Sequence, residues 1–163
     1  MVVMHLTSKN EAPGFNEAGI IRLREIADYA KTLDVQVTFE NTKHKGYPEY
    51  VLRNIRNDNV GFCFDAGHYH VHFYDDLNFF EFKDRIFAVH LHDNDKIDDL
   101  HQIPFDGTID WKKIIEELKI CHYDGPITME LCYRNEYLEM SIEDFYKKGY
   151  EAGERLREML EDE

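Results

Sequence analysis

Apolar residues along this chain follow two periods that take turns. Val2 to Leu6 alternates with period two, as a strand does. From Asn16 to about Leu33 the apolar residues Ile20, Leu23, Ala27 and Ala30 recur at helical spacing, and Asn16 is suited to cap that helix. Val35 to Glu40 returns to strand alternation, and Pro48 suits the first turn of a helix over Glu49 to about Arg56. Val60 to Asp65 reads as a strand, the residues around Gly67, His68, His70 and His72 as a loop, and Leu77 to Asp84 as a short helix. A strand begins at Ile86. Asp110 caps a helix from Trp111 to Ile120, and Asp124-Gly125 turns into a strand over Ile127 to Leu131. Ser141 with Asp144 opens a last helix that runs to about Leu160.

The order is strand then helix, five times over. That order predicts an α/β fold with a parallel sheet and crossover helices. Parity then separates an open sheet from a barrel. Val37 and Phe39 share one face of their strand, with Thr38 and Glu40 on the other. Phe62 and Phe64 oppose Gly61, Cys63 and Asp65; Phe87, Val89 and Leu91 oppose Ala88, His90 and His92; Met129 opposes Thr128 and Glu130. An open doubly wound sheet wants apolar residues on both faces. Here one face is bulky and apolar and the other small or polar, as in a barrel whose outer face packs on helices.

The polar residue of each strand comes late, where barrels carry their chemistry. His5, Glu40, Asp65, His90 and Glu130 therefore converge at one rim, with His68, Asp99 and His101 from the intervening loops. Carboxylates and imidazoles together suit a divalent ion such as zinc or manganese, and two buried glutamates side by side need a cation or a shared proton. Singly, each of these residues has an ordinary reading as a solvated strand end or loop residue. His92 has the parity of His90 and is expected as a supporting or substrate-contacting group. His44, His70, His72 and His122 are expected at the surface or rim, and Cys63 and Cys132 as small core fillers.

Composition adds limits. The chain has 163 residues, 43% hydrophobic and 13% aromatic, enough for a single domain with a core. Its net charge of −14 works against a nucleic-acid or anionic-membrane partner. No GxGxxG or P-loop motif is present, and no stretch approaches a membrane span. Three cysteines without a CxxC pair, and no signal-peptide pattern, point to the cytoplasm.

Several short motifs occur in one order: Phe39-Glu40-Asn41, Phe64-Asp65-Ala66-Gly67-His68, Val89-His90-Leu91-His92-Asp93-Asn94, Asp99-Leu100-His101, Gly107-Thr108-Ile109-Asp110-Trp111 and Tyr123 through Glu130. Together they resemble the xylose isomerase-like barrel superfamily, which holds sugar phosphate isomerases and epimerases and the AP endonucleases related to endonuclease IV. The resemblance covers residues 1–163 as the last five units of an eight-unit (β/α)8 TIM barrel, with the N-terminal units lacking. It implies a divalent metal (Mn, Zn, Mg or Co) held by Glu40, Asp65, His90 and Glu130. Glu40 and Glu130 would move a proton beside a sugar carbonyl, with His68 and His92 contacting substrate. In the endonuclease branch His5, His68, Asp99 and His101 would hold additional zinc. Five strands cannot close a barrel, so self-association or pairing with a missing N-terminal half is expected; the non-catalytic alternative is a half-barrel scaffold.

Overall fold

A computed structural model describes residues 1–7, 11–73 and 79–162. Four strands, β1 (Val2–Met4), β2 (Val37–Glu40), β3 (Val60–Asp65) and β4 (Ile86–His90), form one parallel sheet in chain order. Helices α1 (Glu17–Thr32) and α2 (Tyr47–Asn54) follow β1 and β2. A three-residue turn α3 (Ala66–His68) and a π-helical turn over Tyr69–Phe73 follow β3. A 3-10 segment over Phe79–Arg85, broken at Phe82, leads into β4. Then come α4 (Trp111–Ile120) and α5 (Ile142–Glu161), with a 3-10 turn at Asn135–Glu139 between them.

Local chemistry sets the helix ends. Asn16 accepts from the Gly19 amide at 2.8 Å, Asp110 caps α4 through the Lys113 amide, and Ser141 caps α5 through the Asp144 amide. At the end of α2 the half-buried Arg85 guanidinium donates to the carbonyls of Leu52, Ile55 and Val60 at 2.7 to 3.1 Å. It satisfies helix-end carbonyls that have no intrahelical donor. Between sheet and helices lies one core of Phe39, Phe62, Phe64, Val89 and Leu91 against Ala27, Leu52, Ile114, Ile115 and Leu118. Each such side chain contributes about 1.5–3 kcal/mol on burial. A smaller cluster of Ile103, Tyr137, Phe145 and Ala152 seats α5 on the loops.

Four expectations change. The stretch after Asp65 is helical rather than a loop, because the Asp65 side chain accepts from the His68 amide at 2.6 Å and starts the turn. The short helix expected over 77–84 is a 3-10 segment from Phe79, and residues 77 and 78 lie outside the described residues. The fifth strand, expected over Ile127–Leu131, is reduced to a single parallel bridge between Leu91 and Met129. Past Leu91 the chain turns away to pair Asp93 with Gln102, and the Cys132 amide goes to the His101 carbonyl, so the ladder has no further partner.

Last, Phe87 is an extra residue. The β3–β4 register runs Phe62 to Ile86 and then Cys63 to Ala88. This bulge turns Phe87 away from Val89 and Leu91 and lays its ring against Gly61, where a Cβ would stand 2.3 Å from Phe87 Cδ2.

Candidate functional site

The strand ends bring the ligand-type residues together because their registers agree. Glu40 pairs with Cys63, and Asp65 with His90, so these side chains share the inner face. His90 Nδ1 lies 3.0 Å from Glu40 Oε2 and 3.5 Å from Glu130 Oε1. Asp65, His90 and Glu130 offer ligand atoms within 4.8 Å of one another, as do Glu40, Asp65 and His68. The four residues expected to hold a metal are therefore neighbours. Glu40 and Asp65 are closed off from water, whereas the Glu130 side chain is 41% exposed.

A second cluster adjoins the first. His68, His92, Asp99 and His101 likewise offer atoms within 4.8 Å of one another. His68 joins the two clusters, with Nδ1 3.0 Å from Glu40 Oε1 and Nε2 3.2 Å from Asp99 Oδ2. His101 Nε2 is 3.3 Å from the same Asp99 oxygen. His5, on the open side, reaches Glu40 Oε1 at 3.3 Å. His92 is fully buried: its ring stacks on His101 at 4.0 Å, and its Nε2 stands 3.2 Å from Asp65 and 3.7 Å from Asp99. It forms the wall behind the mouth, beside the two carboxylates.

The electrostatics match this crowding. Burial alone would raise the Glu40 carboxyl, but the His68 and His90 imidazoles outweigh it and hold it at about 2. Burial pushes His68 down, yet Asp99 and Glu40 prevail and lift it to about 11. Asp99 is pulled down by His101 and His68 against its own burial. Glu40 raises His90, and Asp99 raises His101. The pocket concentrates negative charge and draws positive charge to it.

Both Glu40 oxygens, Asp65 Oδ2, His90 Nδ1 and both His92 nitrogens are buried without a well-aligned hydrogen bond. Buried polar atoms in that state call for a missing partner. Carboxylate and imidazole donors converging at these distances fit a divalent cation.

Asparagines and one further aspartate hold the frame, and their roles are invisible in strand parity. Asn41 clamps the end of β3, exchanging hydrogen bonds of 2.8 Å with the Asp65 backbone in both directions. Asn94 donates to the Gly67 carbonyl at 2.9 Å. Asp93 accepts from the amides of Asn94, Phe105 and Ile109 and from Trp111 Nε1 at 2.7 to 3.0 Å, fixing the loop that carries Asp99 and His101. The run of Asp93 and Asn94 directly after two histidines was the available signal.

His70, expected at the surface or rim, is buried with Nε2 2.9 Å from Thr108 Oγ1. His72 stacks near His68, and His44 lies beside Tyr47. An apolar groove of about 870 Å³ between Tyr123–Tyr133 and α5 contains none of the ligand atoms.

Comparison with known proteins agrees with the fold. The profile of a family described as xylose isomerase-like TIM barrel matches residues 3–159. An uncharacterised protein of Sinorhizobium fredii is 33% identical over 105 residues, which is 64% of this chain and 33% of that protein. A D-psicose 3-epimerase of Clostridium cellulolyticum, solved with D-tagatose, superposes with a TM-score of 0.74 at 17% identity over 92% of this chain and 60% of its own. The IOLI protein, solved with a bound zinc atom, gives 0.70 at 21% identity over 84% and 54%. The chain thus spans a third to three fifths of the length of these relatives. No helix among the described residues is long and apolar enough to cross a membrane.

Proposed function

The chain belongs to the xylose isomerase-like TIM-barrel family, and on that footing we propose that it serves as a metal-dependent isomerase or epimerase of a small sugar or sugar phosphate. The observation that carries this reading is the pair of carboxylates, Glu40 and Glu130, meeting on one imidazole nitrogen of His90 at 3.0 and 3.5 Å. Glu40, Asp65, His90 and Glu130 would hold the cation, with manganese, zinc, magnesium and cobalt as candidates. When bound, the cation would polarise the carbonyl and hydroxyl oxygens of the sugar.

The two glutamates differ in access, and that difference supports a separate part for each. Glu130 opens to the mouth and would take the proton from the carbon beside the carbonyl. Glu40, walled from water by His68 and His90, would face the opposite side of the substrate and relay to it a proton taken from the charged His68 imidazolium, whose Nδ1 stands 3.0 Å away. His68 and His5 line the approach. The epimerase names of the structural neighbours supply the substrate class. The rest of the mouth would come from a second copy or from preceding barrel units.

Exchange of solvent deuterium into a panel of ketoses tests the reading. Glu130→Gln should leave the fold intact by circular dichroism and lower exchange about 10²- to 10⁴-fold. Exchange at the unaltered rate would refute the two-glutamate scheme.

One observation favours a second reading. His68, Asp99 and His101 converge beside the first cluster, as a zinc phosphodiesterase related to endonuclease IV would require. Several tightly bound zinc ions per chain, with cleavage at abasic sites, would support it. The −14 net charge weighs against a DNA substrate. Absence of any bound metal would instead favour a scaffold role.

A further inference from the structure

Cys63 lies beside Glu40 and His90 of the first cluster and has no part in the chemistry above. It is fully buried and free of disulfide. The strand register sets it level with Glu40 on the inner face. Its sulfur, a Glu40 oxygen and a His90 nitrogen all lie within 4.8 Å of one another. One step back along β3, Gly61 leaves room for the Phe87 ring, so the neighbouring floor is apolar.

A buried thiol alone would be a core filler. The neighbouring groups argue otherwise: both Glu40 oxygens are buried, and neither receives a well-aligned hydrogen bond. That carboxylate faces the His68 and His90 imidazoles at 3.0 Å, and the Cys63 sulfur borders the same space between Glu40 and His90 that a cation would fill.

We propose that Cys63 is a cation ligand, adding a thiolate from the floor of the site to Glu40 and His90. The site then favours a soft or borderline ion, zinc or cobalt, over magnesium or manganese. This rests on the metal-dependent reading above for the presence of the ion and adds a ligand and an ion class. Binding forms a sulfur–metal bond and sends the thiol proton to solvent, together with any proton held on the ligating His90 nitrogen, with no change of oxidation state.

Titration of the intact chain with Co²⁺ tests the assignment, with absorbance read in the near ultraviolet and bound cobalt counted by elemental analysis. The expected result is a sulfur-to-cobalt charge-transfer band that grows with binding. The band should vanish in both Cys63→Ser and Cys63→Ala and persist in Cys132→Ser. Cobalt should still bind to the Cys63 variants, about tenfold or more weakly, since even the loss of a ligand's outer partner costs that much.

Zinc-edge X-ray absorption on the unaltered protein needs no variant. It should show one sulfur at about 2.3 Å beside nitrogen and oxygen at about 2.0–2.1 Å. Bound cobalt without the band, or bound zinc without a sulfur neighbour, would overturn the Cys63 assignment and leave the cation reading standing. Failure of both ions to bind would overturn both.

Discussion

Replacing Gly67 by alanine tests whether the histidine wall is as tight as the distances say. Gly67 lies in the helical turn α3, so an alanine meets no backbone objection there. The obstacle is space. A Cβ at this position would stand 1.9 Å from His92 Cε1 and 2.3 Å from His92 Nδ1. The ring has little room to retreat: it is fully buried, His101 stacks on it at 4.0 Å, and Asp65 and Asp99 flank its Nε2.

Overpacking of this kind costs about 1–3 kcal/mol. Removing a glycine from the unfolded chain returns about 0.4–1 kcal/mol. At the midpoints of these ranges the net loss is about 1.3 kcal/mol, which for a chain of this length lowers Tm by about 3–5 °C. Urea and thermal unfolding of Gly67→Ala, His92→Ala and the double variant measure it. In the His92→Ala background the added methyl has room, so the cycle should show a coupling equal to the overpacking cost, about 1–3 kcal/mol. A Gly67→Ala protein as stable as the parent, or one equally destabilised in both backgrounds, would refute the packing argument.

Two further outcomes follow from buried carboxylates. Asp93→Ala strands four donors, including Trp111 Nε1, and should cost about 3 kcal/mol or more in urea unfolding followed by the fluorescence of the single tryptophan; a loss under about 1 kcal/mol would remove Asp93 as the anchor of that loop. Burial raises the Glu117 carboxyl, outweighing Lys113. The folded chain therefore holds this proton more tightly than the unfolded one, and the stability it contributes is lost as pH rises through the folded pKa. Glu117→Gln should raise stability at pH 7 relative to the parent and leave it little changed at pH 4; equal effects at both would refute the burial argument.

Much of the helical frame was legible because capping residues and apolar spacing coincide. Asn16 and Asp110 each stand one residue before the helix they begin, and Trp111 to Ile120 has the expected bounds. The sheet was legible through parity, but only within a strand. Which residues of two strands stand level is set by pairing, and the bulge at Phe87 has no mark in an alternating run. That is why Phe87 was expected on the wrong face and why parity alone did not set Cys63 level with Glu40.

Ile127 to Leu131 alternates well, yet a ladder needs a partner edge, and Asp93 gives its amide to Gln102 instead. The histidine-rich stretch after Asp65 looks like a loop by composition. A tertiary fact makes it helical: one carboxylate both caps the turn and faces His92.

The shared wall has a consequence for how the two clusters respond to each other. His68 bridges Glu40 to Asp99, and His92 bridges Asp65 to Asp99. Charge arriving at either cluster alters the field on the same two rings and so on the opposite carboxylate. Were each cluster to hold a cation, the two occupancies would be thermodynamically linked, each changing the other's affinity by the same factor. A substitution that retuned one cluster for a different ion would then, through those rings, retune its neighbour as well.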